Sequence, residues 1–282
     1  MRTYQGVRLL LAFGIVAIGL VVAARAQDPA ATAKSERQKR LDQQFQESLG
    51  WYLVSASPAS QAPMKPEPVL RWTNAPRGQE GEPTLILWAE VGRPVALASV
   101  YPWGRNLVYD CVSLARGVGL TAREDGRTIW SPTMAGVTFR DFSDIPPPDT
   151  NARARLTEMK SLAERFKVTM FGLKADQSDR EEMRLLPKPV YRYKLDDGKS
   201  VHPDLIDGAI FAFVQGTDPE AVLLIEAIRQ GNRTDWKYAF ARATAAALEA
   251  RLGPSVVWTA PRDYGSKDPK LPCIFFGRPL VE

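Results

Sequence analysis

Leu85-Ile86-Leu87-Trp88 and Ile210-Phe211-Ala212-Phe213-Val214 are the stretches whose reading decides the fold. A strand with one wet face alternates apolar and polar residues, whereas runs that are apolar at every position belong to strands covered on both sides. The phrases around them recur in the same order. Pro68-Val69-Leu70-Arg71-Trp72, Leu85 to Trp88, Val108-Tyr109-Asp110-Cys111 and Ile129-Trp130-Ser131-Pro132 are matched by Pro189-Val190-Tyr191-Arg192-Tyr193, Ile210 to Phe213, Trp236-Lys237-Tyr238-Ala239 and Val257-Trp258-Thr259-Ala260. Such recurrence predicts a duplicated architecture. The expected fold is α+β: two repeated units, each a helix followed by an antiparallel β-meander of about five strands, related by a pseudo-two-fold axis and sharing a core. The units span residues 37–148 and 149–282, the second with a C-terminal tail.

Outward from those strands, the periodicities supply the remaining elements. Leu41, Phe45, Leu49 and Leu53 recur every four residues and predict the first helix. Leu156, Met159, Ala163, Phe166 and Met170 form the stripe of a second, with Asp149 or Thr150 as its N-cap. Turns are expected at Gly92-Arg93-Pro94, Trp103-Gly104-Arg105-Asn106, Asp125-Gly126, Thr217-Asp218-Pro219 and Gly231-Asn232. Between Trp236 and Leu252 two signals compete. Trp236, Tyr238 and Phe240 alternate as in a strand, while Thr244 to Leu252 is rich in helix formers.

Arg2 and Arg8, the apolar run Leu9 to Ala24 and the triplet Ala24-Arg25-Ala26 have the layout of a secretory signal peptide, residues 1–26. Residues 27–36 read as a disordered linker. Cleavage removes Arg2, Arg8 and Arg25 with no acid, so the formal net charge of +5 falls to +2. Near-balanced charge gives no basis for nucleic-acid binding, and a shed leader leaves no stable membrane span. The expected location is periplasmic or secreted.

Chemistry is sparsely signalled. The chain has one histidine, His202, which limits triad and multi-histidine metal mechanisms to a single participant. With Asp204 and Asp207 it makes either a three-ligand loop or an ordinary turn, and turn chemistry is the commoner use of such a cluster. No nucleotide, zinc-protease or serine-hydrolase motif is present, so neither a cofactor nor a metal is expected. The two cysteines, Cys111 and Cys273, would link the tail to the first unit if they bridge, while Cys111 also reads as a plain apolar strand residue.

Glu90 and Glu226 interrupt apolar strands. They are either paired acids of a hydrolytic cleft or partners of nearby arginines, for Glu226 Arg229 or Arg242. Arg71 and Arg192 occupy matching places beside an aromatic, as stacked cations or an anion-binding pair. Among the seven tryptophans, Trp130 and Trp258 match in the repeat and suit the core, whereas Trp51 and Trp103 suit exposed contacts. The candidate binding residues are therefore Arg71, Arg192, Glu226, Arg242 and Trp103, with no catalytic residue assigned.

Leu185-Leu186-Pro187-Lys188-Pro189-Val190-Tyr191-Arg192-Tyr193, Asp207 to Val214, Gly216-Thr217-Asp218-Pro219-Glu220, Leu223 to Ala227 and Val69 to Asn74 resemble phrases of uncharacterised secreted proteins from planctomycete bacteria. That resemblance implies a bacterial exported protein and carries no activity, ligand or catalytic residue. The expected function is a non-enzymatic, envelope-associated binding protein whose partner is a protein, glycan or lipid. The alternative is a carboxylate-dependent, glycosidase-like hydrolase of envelope polysaccharide.

Overall fold

A computed structural model of the chain describes residues 36, 39, 40, 43, 45, 46, 52–55, 63–73, 83–172, 179–195, 202–263 and 267–279. The strands are β1 (Tyr52–Ser55), β2 (Glu67–Arg71), β3 (Thr84–Glu90), β4 (Arg93–Trp103), β5 (Asn106–Ser113), β6 (Leu120–Glu124), β7 (Arg127–Trp130) and β8 (Arg140–Asp141). Helix α1 (Ala152–Ala163) follows, then β9 (Phe166–Phe171), β10 (Arg180–Glu182), β11 (Arg184–Leu185) and β12 (Tyr191–Arg192). The last are β13 (Leu205–Gln215), β14 (Asp218–Gln230), β15 (Arg233–Arg242), β16 (Ala247–Leu252), β17 (Ser255–Ala260) and β18 (Cys273–Pro279). All of them lie within Gln38–Glu282, a unit separate from Met1–Arg37.

These strands make four sheets, ordered β1-β6-β7, β18-β5-β4-β3-β2, β11-β13-β14-β15-β8 with β12 also on β13, and β10-β9-β16-β17. The doubly apolar runs explain how they stack. Leu85 and Leu87 of β3 meet Ile210, Ala212 and Val214 of β13 in one cluster, which joins the five- and six-stranded sheets. On the reverse of β3, Ile86 and Trp88 pack with Leu120, Ala122 and Trp130 of the three-stranded sheet. On the reverse of β13, Phe211 and Phe213 pack with Met159 and Leu162 of α1 and with Val168, Leu248 and Val257 of the four-stranded sheet. Alternation with period two thus sends successive side chains of one strand into two different cores. Each large apolar side chain buried this way contributes about 1.5–3 kcal/mol.

The expected pair of helix-plus-meander units is not what the chain forms. The protein is mostly β, and α1 is the one complete helix among the described residues. The matching phrases fall on β2 and β12, β3 and β13, β5 and β15, and β7 and β17. Neither half, however, continues as one meander. After β5 the next sheet position is filled by β18, from the far end of the chain, and beside β15 it is filled by β8. The following strands must therefore pair elsewhere, β6 with β1 and β16 with β9.

Two local expectations also change. Phe166 and Met170 lie on β9 rather than on the helix, which is capped by Asn151, whose side chain accepts from the amides of Arg153 and Ala154, and by Glu164. The Ala-rich stretch is strand β16, because its alternation puts Leu248 and Ala250 into the core and its backbone pairs with both β9 and β17. Tertiary pairing has overridden helix propensity there. The turn expectations hold, and at Asp125 and Gly126, φ of 46° and 77° give the left-handed pair that a two-residue hairpin uses. Leu41, Leu49, Trp51, the leader and residues 27–35 lie outside the described residues. Among the described residues no helix is long and apolar enough to cross a membrane.

Register settles the cysteines. Cys273 stands opposite Val112 and Ile274 opposite Cys111, so the two thiols project from opposite faces of one sheet. Cys111 packs with Ile274, whereas Cys273 packs against the other core. Both are free thiols, and burial pushes Cys111 well up and Cys273 to about 12. Alkylation in denaturant without reductant should therefore label both cysteines of the purified protein. Recovery of an intramolecular Cys111–Cys273 bridge would contradict this geometry.

Candidate functional site

The shared core between the five- and six-stranded sheets ends differently at its two extremities. At one end the inward face of β4 changes from Leu97 to Ser99, Tyr101 and Trp103, and that of β5 from Val112 to Asp110 and Val108. These residues line a cavity of about 560 Å³. Phe275 of β18 completes that side, and Asp218 and Glu220 of β14 with Ala243 to Ala246 close the other. A bulge lies here: Phe213 pairs with Ala221 and Val214 with Pro219, so Glu220 has no counterpart on β13. Bulges re-aim side chains, and Glu220, 1% exposed, lines the cavity.

Asp110 is the electrostatic centre of this cavity. It is 6% exposed and accepts a 3.0 Å hydrogen bond from the Tyr101 hydroxyl. Burial raises its carboxyl from 3.8 to about 7, and the negative charge of Asp218 and Glu220 pushes the same way, against the Tyr101 hydrogen bond and Arg242. Tyr101 is raised well above the usual phenol range, first by burial and then by Asp110. Ser99 Oγ is buried with no hydrogen-bond partner. Trp103, 58% exposed, stands at the rim.

Arg242 supports the wall rather than the interior. Its guanidinium donates to the carbonyls of Thr244, Ala246 and Pro261, each at 2.8 Å, and lies 5.8 Å from the Phe275 ring centroid. One side chain thereby fixes the 243–246 loop against the cavity. It does not meet Glu226. On β14 the residue opposite Arg242 is Ala221, five positions from Glu226 and so roughly 17 Å along the strand.

At the other end of the same core, Glu226 is 0% exposed and enclosed by donors. Arg93 Nε donates to Oε1 at 3.0 Å, the Tyr193 hydroxyl donates to Oε1 at 2.9 Å, and Arg116 donates to Oε2. Both guanidiniums lie over the Phe139 ring, at 5.7 and 4.5 Å from its centroid. Burial lowers Arg93, and burial followed by Arg93 lowers Arg116 to about 10, which leaves it protonated at neutral pH. His202 is lowered to about 4 by burial and then by these two arginines, so the one histidine is neutral beside them. Glu90, on β3, is 7% exposed with Oε1 unpartnered. With Glu226 buried and its oxygens occupied, Glu90 and Glu226 are not placed as an acid–base pair around a substrate.

The remaining candidates are held structurally. Arg71, exposed on β2, lies 6.0 Å from the Phe45 ring centroid. Arg192, on β12, donates to Asp207 at 2.7 Å and to the Ala152 carbonyl at 2.5 Å, and Arg155 holds the same carboxylate at 2.9 Å. The two arginines belong to different sheets and do not make an anion clamp. Asp207 is committed to that pairing, and among the described residues no three of His, Cys, Asp or Glu are grouped to hold a metal. Trp130 is core and donates to the Leu271 carbonyl at 2.8 Å, while Trp258 stacks on Phe240 at 5.5 Å.

Of the candidates, only Trp103 lines the cavity, with Arg242 behind its wall. Asp110, Asp218, Glu220, Ser99 and Tyr101 are the residues that sequence reading missed. The signal for Asp110 was present, since it interrupts Leu107-Val108-Tyr109 and Cys111-Val112 as Glu226 interrupts its own strand. No family model, curated protein or solved structure matches this chain.

Proposed function

We propose that this is an exported bacterial binding protein that holds a small polar organic molecule in the cleft between its two central sheets. The observation that supports it best is the 560 Å³ cavity, in the range of small-molecule sites, where the face of a packed core turns into aromatic and carboxylate side chains. Acidic walls disfavour an acyl chain, and the cavity's size suits a small ligand better than a protein partner. The sequence-level leader supports export.

A hydrolytic reading is favoured by one observation and moves to new residues. Asp110, near 7, shares the cleft with Asp218 and Glu220, and a carboxyl raised by burial and by neighbouring carboxylates is suited to act as a general acid. Glycan release assays on envelope polysaccharide separate the two: turnover abolished by Asp110→Asn supports the enzyme, and binding without turnover supports the carrier.

The binding reading is tested by saturation-transfer NMR of the full chain against a mixed panel of neutral sugars, amines and organic acids. The expected result is transfer to at least one class, lost when Tyr101 and Trp103 are both replaced by alanine. No transfer from any class, or transfer indifferent to those substitutions, overturns it.

A further inference from the structure

Resting on the reading of the cleft as a small-molecule site, we infer that its ligand is a neutral sugar, hydrogen-bonded to Ser99 and Asp110 at the cavity floor and stacked on Trp103 at its mouth. Two observations carry this. The first is the pair at the floor. Ser99 on β4 and Asp110 on β5 are direct partners in the register, so their side chains leave the same face with Cβ atoms roughly 5 Å apart. Both residues are buried, at 2% and 6% exposure, and both line the cavity. Asp110 takes a hydrogen bond from Tyr101, while Ser99 Oγ has no partner. A polar group of the ligand seated beside the pair reaches both.

The chemistry of this pair fits a hydroxyl best. A serine hydroxyl both donates and accepts. Asp110, raised to about 7, stands at neutral pH as a mixture of carboxylate, which only accepts, and carboxyl, which also donates. A ligand hydroxyl pairs with every one of these states, whereas an ammonium only donates and a carboxylate only accepts. A purely apolar ligand would leave Ser99 unpaired. The match holds whatever the charge of Asp218 and Glu220, which line the same wall.

The second observation is the gradient from floor to mouth. Ser99, Tyr101 and Trp103 project from one face of β4, and Trp103 lies roughly 14 Å beyond Ser99 along the strand. Exposure climbs over that line from 2% at Ser99 to 58% at Trp103. Hydrogen-bonding groups therefore meet the ligand at depth, and an open indole meets it at the rim. A sugar has both surfaces: hydroxyls around the edge of its ring, and a patch of C–H on its face that packs on an aromatic. The length leaves room for two rings, the outer one against Trp103.

Isothermal titration of the full chain compares cellobiose, maltose and N,N′-diacetylchitobiose with 1,4-diaminobutane, succinate and catechol. At least one disaccharide should bind tenfold or more tightly than each of the other three probes. Ser99→Ala should weaken that sugar about fivefold or more. Its melting temperature should stay the same or rise, because the hydroxyl it removes has no partner in the fold. Trp103→Ala should weaken the sugar by a similar factor. Trp103→Phe, which keeps a ring, should retain most of the affinity but lose the change in tryptophan emission that the sugar causes in the wild type. Undiminished sugar affinity in either alanine variant overturns the inference. So does binding of the diamine, succinate or catechol as tight as that of the best sugar. Where that probe's binding is lost on replacing Tyr101 and Trp103 together, the cleft stands as a ligand site without a sugar. No binding of any of these probes, together with a silent NMR panel, removes both.

Discussion

Glu226→Ala should lower the unfolding free energy by about 3–5 kcal/mol, the usual consequence of deleting one member of a buried ion cluster. The carboxylate is fully buried and receives Arg93, Arg116 and Tyr193. Removing it leaves the Arg93 guanidinium, 3% exposed at its side chain, without its carboxylate and the Tyr193 hydroxyl without an acceptor. Arg93 retains bonds to the carbonyls of Pro94 and Leu114, which neutralise no charge. Urea unfolding at neutral pH measures the loss. A cost below about 1 kcal/mol would show that the cluster is not dry. Replacing Arg93, Arg116 and Glu226 together by Met, Leu and Leu should recover only part of the loss, because buried Glu90, which also acts on Arg93 as a negative charge, then loses that cation.

Asp110→Asn should act in the opposite direction, stabilising the chain above neutral pH by roughly 3 kcal/mol. The folded carboxyl titrates near 7 rather than 3.8. Well below pH 4 it is protonated in both states, and the variant is then the less stable by about 1 kcal/mol through its altered bond to Tyr101. As pH rises from there towards 7, the unfolded chain releases its proton first. The folded state then holds more protons, and stability falls with pH until ionisation inside the fold is complete. The full shift corresponds to on the order of 4 kcal/mol, and the altered bond to Tyr101 returns about 1 of it. Tyr101, Asp218, Glu220 and Arg242 face this carboxyl. His202, lowered to about 4, titrates with the reverse slope between there and 6.5, but it is common to both proteins and drops out of the comparison. Thermal melts of both proteins from pH 4 to 9 should therefore diverge with rising pH. Parallel curves would place Asp110 in contact with water instead. A buried acid that destabilises the fold and lines a cavity is a candidate functional group.

The two acids show what a sequence can and cannot disclose. Glu226 and Asp110 both interrupt apolar runs, which marks each as a buried acid in need of a partner. The identity of the partner is a matter of register. Arg229 and Arg242 are near Glu226 in sequence, yet Arg229 is an odd number of residues along the same strand and Arg242 sits opposite Ala221. Arg93 opens β4 of the other sheet and Arg116 lies in the loop after β5, and no spacing announces them. The doubly apolar strands were legible because alternation is local. The sheet plan was not, because β8 and β18 enter from distant segments and take the positions a meander would use. Likewise Ala247 to Leu252 carries helix-forming residues but joins a sheet, since the strands on both sides of it outweigh a few tenths of a kcal/mol per residue.

Strand β18 also makes the cavity a property of the finished polypeptide. Residues 273–279 zip onto β5 from more than a hundred and fifty positions away and bring Phe275 to the cleft. A chain stopped short of Cys273 would present β5 with bare amides and carbonyls and would lack one wall of the cavity. The wall that Phe275 supplies is thus present only once residues 273–279 have been made and paired.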